Sequence, residues 1–237
     1  GGAIVNYTVT ATDDCDNHPT IVCNPPSGSL FAVGNTTVNC TATNACGLGS
    51  QCSFTVMVTE QVTAVFADVN YRGLPNGTLV NFPYDGQPGP HTVGVDAFGT
   101  LQAAVNATVA GGTLTVGPGT YPELVHVTIP ITINGANAGV DPRTTCGGPA
   151  RGPESIIDGL GVETAIEFDS SGITLDGFTI QGGSTDAAHS GVDLHNGFGD
   201  NKVLNNIITN NSIGVFANCA GPLATVIQRN RIDANNL

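Results

Sequence analysis

The sequence predicts an all-β protein: a small immunoglobulin-like β-sandwich, lacking its first strand, joined to a right-handed parallel β-helix with a short N-terminal capping helix. Three observations carry this. First, residues 173–236 repeat: Leu175 and Ile180 fall over Val203 and Ile208, and these over Ile227 and Ile232, at steps of 28 and 24 residues. Each copy then continues with a small or amide residue: Gly182-Gly183, Asn210-Asn211, Asn235. An imperfect repeat of this length implies stacked units, none of which can bury its apolar face alone. Second, apolar positions alternate with polar ones over short runs, so the units are strands, two or three per coil. Asn206 and Asn230 fall in register, and stacked asparagines can hydrogen-bond along such a pile. Third, the opening 60 residues are short strands divided by turn signals, the pattern of a sandwich.

Composition narrows the function. The 237 residues carry 6 Lys+Arg against 19 Asp+Glu, a formal charge of −13. So few cations exclude nucleic acid as a partner, because phosphate neutralisation needs Lys and Arg. Anionic membranes and polyuronates are disfavoured too, unless a divalent cation such as Ca2+ bridges the like charges. No apolar run is long enough for a spanning helix. The chain opens Gly1-Gly2-Ala3 without a signal peptide, as after processing or in a fragment.

Residues 1–60 form the first expected domain. Strands are read at Ile4–Thr12, Ser29–Phe31, Thr37–Thr43 and Cys52–Thr59, with Phe54, Val56 and Val58 on one face. The seven cysteines are Cys15, Cys23, Cys40, Cys46, Cys52, Cys146 and Cys219. No Cys-x-x-Cys occurs, so a disulfide framework outside the cytoplasm fits better than zinc. Cys23 with Cys40, and Cys15 with either Cys46 or Cys52, are the pairs considered; Cys146 and Cys219 lie in irregular segments that could meet on one flank. The segments Ala11-Thr12-Asp13, Pro26-Ser27-Gly28-Ser29, Thr36 to Cys40, Thr43-Asn44-Ala45 and Cys52 to Val56 resemble a HYR (hyalin repeat) module. The resemblance implies an extracellular, immunoglobulin-like module of adhesive multidomain proteins, and no catalysis. It also leaves the leading strand missing and an edge open to strand addition.

Residues 61–112 are read as junction and cap. No flexible linker separates Glu60 from Val65, which predicts a stiff connection. Leu101, Ala104 and Val105 share one face of a helix that Gly111-Gly112 should stop, and this helix would cover the end of the stack. His91 and Asp96 are read as a turn and a helix cap rather than an acid–base pair. Asp68, Asn70 and Asp85 could supply calcium oxygens, but their spacing fits no twelve-residue calcium loop.

Residues 113–237 are the coils. Leu101 to Val105, Gly112-Thr113, Gly119-Thr120-Tyr121 and Gly135-Ala136 resemble the opening of pectate-lyase-like right-handed β-helices. The resemblance implies a fold shared by lyases, hydrolases, epimerases and non-enzymatic adhesins. The adjacent Asp pair and Gly-His-Gly of polygalacturonase-type hydrolases are absent, and His126, His189 and His195 sit in other contexts. Arg229 and Arg231, two apart, are expected on one side of a strand. The best remaining cluster is Asp186, His189, Asp193 and His195. Asp193 and His195 share a strand face and are the candidates for proton transfer; Asp186, His189 and Asp193 are the candidates for a metal. Asp169, Asp176 and Asp200 are read as turn residues.

These readings point to a secreted or cell-surface structural or adhesive protein, in the fullest form a fibre subunit. Its partners would be other copies or adjoining domains meeting open strand edges, and glycans. The alternative is a polysaccharide-active enzyme or carbohydrate-binding protein that uses an outer face.

Overall fold

The computed structural model describes residues 2–14, 16, 18–58, 62–84, 90–143, 150–183, 189–218 and 221–235. It divides into two compact units, Gly1–Glu60 and Gln61–Leu237. The expected stiffness of the junction falls on residues 59–61, outside the described residues.

In the first unit, Gly2–Val5 pairs antiparallel with Ser29–Ala32, and Thr20–Asn24, Gly34–Thr43 and Gly49–Val58 form a three-stranded antiparallel sheet. Alternation decides what is inside. Phe31, Val38, Cys40 and Val58 are buried, with Val5, Tyr7, Phe54 and Val56 packed against them. Tyr7 and Phe54 meet edge to face, centroids 5.0 Å apart. The first strand is shorter than expected and ends at Val5, yet Tyr7 and Val9 still reach the core.

Cys23 and Cys40 sit directly opposite one another on neighbouring strands and are bonded. Cys52 lies opposite Cys40 on its other side, so three cysteines occupy one row across the sheet. One Sγ can close only one bond. Cys46 and Cys52 are free and exposed. Cys15, Cys146 and Cys219 lie outside the described residues.

The second unit is a parallel β-helix with three walls. The first wall stacks Val62–Ala67, Thr108–Val116, Thr132–Asn134, Thr174–Asp176, Lys202–Leu204 and Val226–Gln228, with Ala97–Phe98 at one edge. The second stacks Gly119–Pro122, Ser155–Asp158, Phe178–Gln181, Ile207–Thr209 and Arg231–Asp233. The third stacks Val125–Val127, Ile166–Phe168, Ser190–Leu194 and Ile213–Ala217. Within all three walls every pair is parallel.

The predicted register holds residue for residue: Leu175 pairs with Val203 and Val203 with Ile227; Ile180 pairs with Ile208 and Ile208 with Ile232. Leu114, Ile133, Leu175 and Val203 form a column that water does not reach. Ile227 continues it, and Ile232 continues the column of Ile180 and Ile208 in the second wall, but they are 41% and 48% exposed, because no described coil lies beyond them.

Two asparagine ladders tie the corners. Asn206 Oδ1 accepts from the Phe178 N–H at 2.9 Å, its Nδ2 donates to the Leu175 carbonyl at 3.1 Å, and its own N–H donates to Asn230 Oδ1 at 2.8 Å. One turn further, Asn211 accepts from Gly183 and its N–H donates to Asn235 in the same way. The corner residues Gly177, Asn205 and Arg229 all have positive φ, as do Gly182, Asn210 and Ala234. Only glycine fits at 177, where an added Cβ would lie 2.1 Å from the Ala138 nitrogen. Arg229 therefore turns a corner, which corrects its placement on one strand with Arg231.

The capping helix runs Leu101–Ala107 and buries Leu101, Ala104 and Val105, the predicted face. It ends at Ala107 rather than at the glycine pair; Gly111 and Gly112 lie inside the strand Thr108–Val116. Thr100 makes no side-chain cap. Glu123, from the first coil, accepts from the Leu101 and Gln102 N–H groups at 2.8 and 3.0 Å, placing a carboxylate on the orphan donors of the first turn. Asp96 caps no helix: it accepts from the Thr92 N–H and pairs with His91 Nδ1 at 2.9 Å, beneath the ring of Phe66. Buried Asp68 accepts both the backbone and side-chain N–H groups of Asn70 on one oxygen, so it serves a local turn. Asp85 lies outside the described residues.

Candidate functional site

The first two strands of the third wall alternate, as does Val192–Leu194 in the third. Val125, Val127, Ile166, Phe168, Val192 and Leu194 point inward and are buried. The residues between them must then point outward. His126 pairs with Glu167, Glu167 with Asp193 and Asp193 with Phe216, so these four form one outer column, a rung apart. Two residues further along the same face come Asp169 and His195, where the ladder continues through the Asp169 N–H to Val127 and the His195 N–H to Phe168.

Three carboxylates and two imidazoles thus meet on one patch. His195 Nδ1 is hydrogen-bonded to Asp169 Oδ1, and its Nε2 lies 3.5 Å from Asp193 Oδ2. His126 Nδ1 lies 3.1 Å from Glu167 Oε2 and 3.9 Å from Asp169 Oδ2. Asp193 Oδ1 is buried with no hydrogen-bond partner. Burial raises the Asp193 pKa, and neighbouring Asp169 adds to this against the pull of His195 and His189. Burial works against the charge on His195, but the bond to Asp169, with Asp193 and Glu167 behind it, outweighs burial and raises its pKa.

The capping helix reaches this patch. Val125–Val127 is the first rung of the third wall, and no strand precedes it in that sheet. Gln102 takes the place of one: its Oε1 accepts from the His126 N–H at 2.7 Å, and its Nε2 donates to the His126 carbonyl at 3.2 Å. The side-chain amide thereby covers the exposed edge and fixes the backbone that carries His126.

The predicted pair Asp193 and His195 do come together. His189 is half-buried just ahead of Ser190–Leu194, the rung that carries Asp193, with its own interactions. Asp186 lies outside the described residues. His126, Glu167 and Asp169 were not expected to act together: they are up to 43 residues apart, and only the coil register unites them. Asp169 had been read as a turn residue, but it is the hinge of the cluster, bonded to His195 and facing His126. The one set of mutually adjacent ligand atoms found among the described residues is His126, Glu167 and Asp169, all within 4.8 Å of one another. It offers one imidazole and two carboxylates, unlike the all-oxygen set that calcium prefers.

None of the curated proteins and solved structures compared matches the chain. The family model of the HYR domain matches residues 2–58. Together with the Cys23–Cys40 disulfide, this HYR domain points to an extracellular or cell-surface protein.

Proposed function

We propose that the protein is a structural or adhesive component of the cell exterior whose β-helix offers its walls and strand edges to other polymers. The observation that supports this is the filled interior: among the described residues, the column Leu114, Ile133, Leu175 and Val203 and the inward residues of the third wall are buried and pack the axis. Recognition must then take place on outer surfaces, which suit extended partners such as glycans or a further strand. The outermost rungs, Val226–Gln228 and Arg231–Asp233, are exposed, and a strand laid beyond them, from this polypeptide or another copy, would cover Ile227 and Ile232. Immunogold imaging of native material tests the reading: label on polymers or surface layers supports it, and label confined to dispersed soluble protein overturns it.

A second reading, a glycan-active enzyme, is favoured by the relay from Asp193 through His195 to Asp169, which could move a proton. Cleavage of a polyuronate or neutral glycan that is abolished in both His195→Ala and Asp193→Ala would replace the first reading with this one.

A further inference from the structure

We propose that His126, Glu167 and Asp169 form a binding site for a divalent transition-metal ion of the Zn2+ class on the outer face of the third wall. The assignment does not depend on whether that wall is adhesive.

Geometry is the first argument. Two ligands of one zinc ion, each about 2.0–2.2 Å from it, lie about 3–4 Å apart. His126 Nδ1 stands at 3.1 Å from Glu167 Oε2 and 3.9 Å from Asp169 Oδ2, so an ion could be seated between them with small side-chain adjustments. Each ligand is also held from outside the triad. Gln102 clamps the His126 backbone through two hydrogen bonds. His195 binds the other oxygen of Asp169, leaving Oδ2 turned toward His126. Glu167 is fixed by strand pairing on both sides. Outer partners of this kind orient metal ligands and sharpen affinity.

Electrostatics is the second argument. Glu167 and Asp193 stand directly opposite one another on adjacent strands, with Asp169 beside them on the same face. Like charges placed so are destabilising. Asp193 Oδ1, buried and without a partner, adds to the unmet negative charge. Among the described residues, Asp193 has Glu167 and Phe216 as its strand partners and Glu167 lies between Asp193 and His126, so imidazoles are the groups placed against this charge. A bound dication would answer this excess directly. The presence of an imidazole ligand selects zinc, copper or nickel over calcium, since calcium takes oxygen. His126 is half-exposed, its side chain 49% accessible, so an ion can enter from solvent.

The test is calorimetric titration of the metal-stripped full chain with Zn2+, carried out with Cys46→Ser and Cys52→Ser present so that these free thiols take no metal. One bound ion per chain is expected, with affinity reduced about tenfold or more by His126→Ala and by Glu167→Gln. Both positions face outward, and an unchanged far-UV circular dichroism spectrum checks that the variants are folded. Co2+ in place of Zn2+ should give ligand-field bands without a thiolate charge-transfer band, and those bands should vanish in His126→Ala. No binding at millimolar Zn2+, binding unaltered in His126→Ala, or a thiolate band with Co2+ would each overturn the assignment. So would Ca2+ displacing Zn2+ at equal concentration.

Discussion

Replacing Asn206 with alanine should be among the most damaging changes of a single polar side chain in the β-helix. Asn206 is fully buried. Its Oδ1 is the acceptor for the Phe178 N–H at 2.9 Å, and its Nδ2 the donor to the Leu175 carbonyl at 3.1 Å. Truncation leaves a backbone donor and a backbone acceptor without these partners, in a place where neither strand can move to meet the other. Each orphaned buried group costs about 1–3 kcal/mol, so a loss of about 2–6 kcal/mol is expected, increased by whatever cavity remains. Asn230→Ala removes the equivalent bonds one coil later, to the Asn206 N–H and the Val203 carbonyl. There water can reach the vacated site, since Asn230 is only part-buried, and the loss should be smaller, about 1 kcal/mol. Urea unfolding followed by far-UV circular dichroism is the assay, as the chain has no tryptophan. Equal midpoints for Asn206→Ala and wild type, at unchanged slope, would refute the claim that the ladder bears on stability. A larger loss in Asn230→Ala than in Asn206→Ala would refute the argument from burial.

Other perturbations probe the corners, the cap and the patch. Arg229→Gly should stabilise by about 0.5 kcal/mol, because arginine at φ 55° pays a left-handed backbone cost that glycine avoids, partly offset by the looser unfolded chain; thermal unfolding would show it. Glu123→Ala uncovers the two N–H groups at the start of the capping helix and should cost about 1–2 kcal/mol by the same denaturation assay, with Glu123→Gln losing less. Arg151→Lys should cost about 2–3 kcal/mol, because the guanidinium spans the Val140 and Asn205 carbonyls and both oxygens of Glu154, a fork that an ammonium cannot reproduce. In metal-free protein, the His195 imidazole should titrate above its ordinary value by NMR, and Asp169→Asn should lower that midpoint. Because the folded pKa is raised, the stabilising contribution of that bond is complete below about pH 6.5 and is lost as pH rises through the folded value.

Much of this molecule was legible in its residues. Alternation over short runs and the stepped repeat of Leu175, Val203 and Ile227 were enough to place strands in one register, because a side-chain period of two and a stack of similar coils admit few other solutions. The asparagine at 206 announced its ladder for the same reason: an amide repeated at one place in a pile has a partner above and below. The second ladder, at Asn211 and Asn235, carried the same signal. The face of the capping helix followed from its 3.6-residue spacing, but its end did not, since the glycine pair belonged to a strand drawn into the first wall by pairing with Val62–Ala67 and Thr132–Asn134.

Contacts between distant segments were decided only by tertiary structure. Asp193 and His195 were found because they are two apart on one strand. His126 sits on one coil and Glu167 and Asp169 on the next, and the loops between the coils hide the spacing that the register restores. The helix cap at Glu123 and the edge cover at Gln102 likewise come from side chains that answer backbone groups about 20 residues away. Local sequence sets the direction in which each side chain points; the winding of the coils sets which side chains share a patch, because neighbours on a β-helix wall are neighbours across coils rather than along the chain.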